Sequence, residues 1–280
     1  MYFSKDGKEI SAAIKEHNKK IIRVLAHMHL MSLLTTTNEV AYFRSFFPNM
    51  ASYFNSLTLP GVRFSCRAKE IHQSPYVKPA VGPSCELGDY FIIVKYMKGS
   101  TLVGRKKIIF QLKRSYNNSW SISQPQLSLL RDWPTFSFGR TFKGTSSFNL
   151  RPTRPEYGSF VLVRKKTGLI NRKNFNISNL FGTAFDISRI QQRKRISVND
   201  EDRFYYSGVC AYFNLLTWEI GEPIIGNTDI SDFTSALYRY MEWEEDPPEE
   251  FKGFQKEGEE KAFWGIEITV STDQDEVRKM

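Results

Sequence analysis

Three polar side chains interrupt two otherwise apolar stretches, and their spacing is the first sign of chemistry. The segment 106–115 reads KKIIFQLKRS, with Gln111 and Lys113 set two apart inside an apolar run. Side chains two apart on a strand share a face. Upstream, ELGDYFIIVKYM carries Asp89 just before its own apolar run. Between them lies KGSTLVG, whose Gly99 and Ser100 suit a hairpin turn. Pairing that runs symmetrically about Ser100 sets Asp89 opposite Gln111, with Lys113 as the diagonal neighbour. A slip of two residues keeps the three groups close, whereas a slip of one divides them between the faces.

A carboxylate, an amide and an ammonium meeting on one sheet face suit a hard cation, Mg²⁺ (or Mn²⁺), which takes oxygen ligands and often keeps water and substrate phosphate in its shell. Asp89 would supply the charge, Gln111 a neutral oxygen and the Leu112 carbonyl another. Such an ion activates water and stabilises charge on phosphate. Lys113 would orient or deprotonate that water, and burial beside a cation favours a lowered lysine pKa. One negative charge makes a weak site, so a second acid is expected. Glu70 is the first choice, because a loop joining neighbouring antiparallel strands would place it beside Asp89. Glu86 stands three residues before Asp89, on the other face of a regular strand. Glu39, on an upstream helix, is the third option.

The elements that must hold these residues follow from periodicity. Helical spacing is expected over 8–34, then from a cap at Thr37 or Asn38 through EVAYFRSFF, with Pro48 not required to end it. VRFSCRAKEIHQ, the two apolar runs and GSFVLVRKK read as strands. SPYVKPAVGPS, with three prolines, reads as a loop. QPQLSLLRDW reads as a short helix stopped by Pro134. NISNLFGTAFDISRIQQRKR and DISDFTSALYRYMEW are expected helices, the latter capped near Asp229, Ser231 or Asp232. WGIEITVST is an expected late strand. The fold class is α/β, a mixed central sheet flanked by helices. The organisation is an N-terminal helical region at 1–58, a core at 59–170 and a mixed C-terminal extension with an acidic tail at 171–280, all in one compact unit.

At 280 residues with 41% hydrophobic and 14% aromatic side chains, the chain has the means to build a core. No apolar run is long enough to span a bilayer, and the charged N-terminal stretch has no signal-peptide core, so no membrane and a cytoplasmic location are expected. Cys66, Cys85 and Cys210 lack metal-ligand spacing and are expected as reduced thiols. Residues 241–280 carry 13 acidic and 5 basic side chains, so with a total of +9 the first 240 residues carry +17. A body so basic suits a polyanion, nucleic acid with DNA favoured. Arg114, Gln124, Gln126 and Arg140 are the expected contacts, and a homodimer or a partner subunit is compatible with this. The HMH at 27–29 and the Arg-x4-His spacing of RAKEIH are read as ordinary structural residues.

GDYFIIVKYM followed by IIFQLKRS, within a helix–strand–strand–strand–helix–strand order, resembles the PD-(D/E)XK nuclease superfamily in its Gln-x-Lys, Mrr-like restriction endonuclease variant. Asp89 matches the first acid of that signature, and Gln111-Leu112-Lys113 the second part, with Gln111 in place of an acid and Gly88 in place of the preceding proline. The resemblance covers roughly residues 60–165. It implies a restriction-endonuclease-like core and a metal-dependent endonuclease cutting DNA in restriction or phage defence. In it Asp89, Gln111 and Lys113 would be catalytic, with Asp89, Gln111 and Glu70 on the metal. Gln111 keeps two other readings open: a catalytically inactive nucleic-acid-binding or scaffold protein, and an RNase toxin.

Overall fold

The computed structural model describes residues 5–36, 38–72, 75–115, 119–139, 147–154, 157–164, 183–185, 195–197, 204–226, 228–243 and 262–272. Three helices come first, α1 (Lys5–Glu16), α2 (Asn18–Thr35) and α3 (Glu39–Ser56). The single helix expected over 8–34 is two, parted at His17, which leaves helical geometry at φ −102°, ψ 15°. Asn38 caps α3 by accepting from the Ala41 amide at 2.8 Å. Pro48 lies inside α3 without ending it. Proline removes one helical hydrogen bond, but Phe43, Phe46, Phe47, Met50 and Phe54 on that helix are all buried, and their packing outweighs the loss.

The strands then follow as β1 (Thr58–Leu59), β2 (Val62–Ile71), β3 (Tyr76–Pro79), β4 (Cys85–Glu86), β5 (Tyr90–Lys98), β6 (Thr101–Ser115) and β7 (Ser119–Ser121). After α4 (Gln124–Asp132) come β8 (Phe136–Phe138), β9 (Ser147–Phe148), β10 (Gly158–Arg164), β11 (Thr183–Phe185), β12 (Arg195–Ser197) and β13 (Phe204–Ser207). Helix α5 (Gly208–Leu216), β14 (Glu222–Pro223), α6 (Asp229–Tyr240) and β15 (Phe263–Thr272) complete the order. The main sheet runs β1-β2-β15-β5-β6-β10-β11-β13, with β14 also paired to β6. It is mixed: β5 is antiparallel to β6, while β15 with β5 and β10 with β6 are parallel. The α/β class with a central mixed sheet between helices is therefore what the chain adopts.

At β5 and β6 both faces of the sheet are covered, which explains why these strands read as continuous apolar runs. One face packs Tyr90, Ile92 and Phe110 against Phe43, Phe46 and Phe47 of α3. The other packs Phe91, Ile93 and Ile109 under Leu127 of α4, Phe233 of α6 and Phe136 of a small sheet ordered β4-β3-β8-β9.

Four expectations need correction. Tyr76–Pro79 is strand, not loop, because its exposed–buried alternation around the fully buried Val77 is masked in the sequence by flanking prolines. Thr183–Phe185 is strand, paired to both β10 and β13, where a helix was expected. The rest of that expected helix up to residue 194 lies outside the described residues, and Arg195 opens β12. Helix α5 has no counterpart in the periodicity, because GVCAYFNLL is apolar nearly all round. Most consequentially, β15 lies between β2 and β5, so the core set at 59–170 is completed by a strand from 171–280. Among the described residues no helix is long and apolar enough to cross a membrane.

Mid-strand in β6, Lys106 and Lys107 are both fully buried, one in each core. Lys106 Nζ donates to the Ile220 carbonyl at 2.8 Å and lies 4.9 Å from the Trp218 ring centre. Lys107 Nζ donates to Thr234 Oγ1 at 3.0 Å and lies 4.0 Å from the Phe233 ring centre. Burial pushes both amines well below the usual lysine range. The unfolded chain therefore holds protons that the folded chain lacks, and stability rises with pH until the unfolded lysines lose theirs, near ~10.4. In Lys107→Met the urea midpoint should rise at neutral pH and its climb toward alkaline pH should flatten. An unchanged pH slope would show that Lys107 folds in charged.

Candidate active site

The site is set by the pairing of β5 with β6. Tyr90 lies opposite Phe110, and the Asp89 amide donates to the Phe110 carbonyl at 2.9 Å, so Asp89 faces Gln111 as the symmetric pairing expects. The turn itself is shorter than that pairing implies. Lys98 pairs with Thr101 across Gly99 and Ser100, and a bulge near Val103 then shifts the register by one. Gly88 allows the close approach, since a Cβ there would stand 2.9 Å from the Phe110 carbonyl oxygen and 3.0 Å from Ile109 Cγ2. The proline of the resembling signature would not fit this backbone without a shift.

Asp89 and Gln111 are buried, and Lys113 is half-buried on the same face. Asp89 Oδ2 accepts from the Leu112 amide at 2.6 Å and from Gln111 Nε2. Gln111 Oε1 accepts from Gln126 Nε2 at 2.7 Å. Thus Gln111 presents its amide nitrogen to Asp89, and holding a cation through its oxygen requires the amide to turn and release Gln126. Burial, then the charge of Glu39, pushes the Asp89 carboxyl up to about 8, against the pull of Lys113 and the Leu112 amide. Burial also raises Glu39, whose Oε1 accepts from the Arg114 amide at 2.9 Å and which feels Lys113 as an attraction and Glu86 as a repulsion.

Glu70 does not join this group. The strand neighbouring β2 is β15, not β5, so Glu70 pairs with Trp264 and Trp264 with Tyr90. Its carboxylate binds Arg44, with Nε contacts of 3.0 and 3.1 Å. Glu39 and Glu86 are the acids that act on Asp89. Glu86 does so because regular strand geometry starts only at Tyr90, so counting alternation back from Asp89 misplaces it.

The expected phosphate contacts divide likewise. Arg114 is used inside the protein, donating to the Leu33 and Thr36 carbonyls at 3.2 and 2.7 Å and closing the C-terminus of α2. Gln126 is buried on Gln111 and so is no surface contact. Its spacing held the signal, since position 126 shares a helix face with Leu130, four residues on. Gln124 is half-buried in the first turn of α4. Arg140 lies outside the described residues. Burial lifts the Cys66 and Cys85 thiols to about 12 and about 11, leaving them inert; the Cys210 side chain is outside the described residues. His29 is buried on the Tyr42 hydroxyl, a structural role.

Hard oxygens from Asp89 and Glu39 beside a lysine match the donor chemistry of Mg²⁺. Among the described residues, however, no three His, Cys, Asp or Glu side chains are grouped to hold a metal. The arrangement fits an ion held by one or two carboxylates and completed by phosphate and water. It does not fit a resident structural metal.

Two outcomes follow. The Asp89 carboxyl, followed by carbon NMR, should titrate near 8. Its midpoint should fall in Glu39→Gln and rise in Lys113→Met; a midpoint that ignores both changes would mean that the three groups are not coupled. Gln126→Ala should cost about 1–3 kcal/mol in chemical denaturation, because it strands the buried Gln111 amide oxygen. No family model, curated protein or solved structure matches this chain, so the site stands on its own geometry.

Proposed function

We propose that this chain is a metal-dependent endonuclease that hydrolyses DNA phosphodiester bonds, of the restriction or phage-defence kind. The observation that carries the proposal is the meeting of Asp89, Gln111 and Lys113 on one face at the end of the β5–β6 pair, with Glu39 close by. Two further features support it. Helix α3, strands β2, β5 and β6, helix α4 and strand β10 follow the order of the resembling superfamily, and β10 lies parallel to β6. The first 240 residues carry +17, suited to a polyanion. The insertion of β15 between β2 and β5 departs from a simple restriction-endonuclease-like core.

In this reading Asp89, whose Oδ2 already accepts from Gln111 and the Leu112 amide, would hold Mg²⁺ or Mn²⁺, and Glu39 would supply the second charge. When bound, the ion lowers the pKa of water and neutralises charge on the phosphate. Gln111 fixes the Asp89 carboxylate, and Gln126 fixes Gln111. Lys113 orients the attacking water and steadies the developing phosphorane charge. The rival reading, a nucleic-acid-binding or scaffold protein without catalysis, is favoured by one observation: the Gln111 amide is closed on both sides, onto Asp89 and Gln126. An RNase toxin is separated by substrate alone.

Plasmid DNA and a structured RNA, each incubated with Mg²⁺, Mn²⁺ or EDTA, test all three. Metal-dependent nicking of DNA is expected, falling by about 10²-fold or more in Asp89→Asn and Lys113→Ala. Protons compete with the cation for Asp89, whose carboxyl sits at about 8 without metal, so at limiting Mg²⁺ the rate should climb with pH, and saturating Mg²⁺ should shift that climb to lower pH. Cleavage that survives Lys113→Ala removes that residue from its role. Salt-sensitive binding with no cleavage of either polymer selects the binding protein.

A further inference from the structure

The far end of the same sheet face carries a second polar constellation that the proposed reaction does not use. Arg105 on β6, Lys95 on β5, Thr269 on β15 and Ser65 on β2 are successive cross-strand partners, so they form one row across four strands. Arg67 and Glu267, also opposed, stand beside that row. Alternation puts Arg105 on the face of Gln111, six residues along β6 and about 20 Å away.

Glu267 organises the cations. Its carboxylate binds Lys95 Nζ at 2.7 Å and Arg67 Nε at 3.1 Å, and accepts from the Tyr238 hydroxyl of α6. Burial pushes this carboxyl up, but those partners hold it below its usual range, so it stays ionised. Arg67 also lies 4.4 Å from the Trp243 ring centre, and Arg105 Nη2 donates to Ser231 Oγ at 3.2 Å. These contacts fix the cations without hiding them: the Arg67 side chain is 46% exposed, and Arg63 and Ser65 are exposed on the same face of β2. Lys69 pairs with Glu242 at 2.9 Å. Among the described residues, Arg63, Arg67, Lys69, Lys95 and Arg105 meet the carboxylates of Glu242 and Glu267 across this surface.

Arginine, lysine and hydroxyl donors are the set that contacts phosphate and sugar without reading sequence. Cations already pinned by a buried carboxylate lose little freedom when a ligand arrives. We propose that this row is a docking surface for the phosphate backbone of duplex DNA, separate from the Asp89 site and supplying sequence-independent affinity. It rests on the endonuclease reading only for the identity of the polymer.

The test is fluorescence anisotropy of a labelled DNA duplex with the full chain in EDTA, across a salt series. Ser65→Glu adds a negative charge at an exposed position and removes no contact, so it keeps the fold; Arg63→Gln with Arg105→Gln is the second variant, and thermal melting checks both. Each should weaken binding at least tenfold, and the double variant should flatten the salt dependence by about two phosphate contacts' worth, about 0.9 log units of slope for each. Wild-type affinity and slope in both folded variants overturn the proposal. So does a wild type that binds polyglutamate but no duplex. Duplex binding that needs the row, in a protein that cleaves nothing with Mg²⁺, sinks the endonuclease reading and leaves the docking surface standing.

Discussion

Everything in the candidate site depends on the register between β5 and β6. Regular pairing from the two-residue turn would set Asp89 against Phe110, because Lys98 and Thr101 are the partners nearest the turn. The bulge near Val103 moves one strand by one residue, and Asp89 comes to face Gln111 instead. On a sheet with period two, that single residue decides which core receives a carboxylate. Bulges recur beside functional sites because they re-aim side chains in this way. Gly88 then lets the chain before β5 pass close to the Phe110 carbonyl, so the aspartate can reach the Leu112 amide.

A sheet covered on both faces gives polar groups few ways to survive. At the site the solution is a connected chain, Gln126 to Gln111 to Asp89, in which each buried atom named has a partner. The two lysines at 106 and 107 show another solution, each giving one hydrogen bond and facing aromatic rings. At the far end of the face, one carboxylate holds two cations and a phenol. Along the face of Gln111 the shifts thus run from the raised carboxyl of Asp89, through the lowered amine of Lys107, to the lowered carboxyl of Glu267, according to how much water and opposite charge each position meets.

Local features made much of this legible. The cap at Asn38, the hairpin over Gly99 and Ser100 and the short helix before Pro134 follow from nearby residues, whereas Asp89 meets Gln111 through a bulge near Val103 that symmetric pairing about Ser100 did not contain. What escaped was long-range. No local pattern announces that Trp264 will stand between Glu70 and Tyr90, and so Glu70 was expected at a site it never reaches. Arg114 looked like a phosphate contact because its helix-capping partners, Leu33 and Thr36, are far away in sequence. Glu39 was weighed third, although only the packing of α3 on the sheet end brings it to Asp89.

The position of β15 also bears on how the protein is made. Strands β2 and β5 bond to each other only through it, with β2 on one side and β5 on the other. While residues 263–272 are still inside the ribosome, a nascent chain therefore has two strand edges that lack their proper neighbour, one of them the apolar β5. Such edges invite pairing with other chains, and contacts so distant in sequence form slowly. Synthesis of this protein thus passes through a stage at which the site residues exist but the sheet that carries them is split.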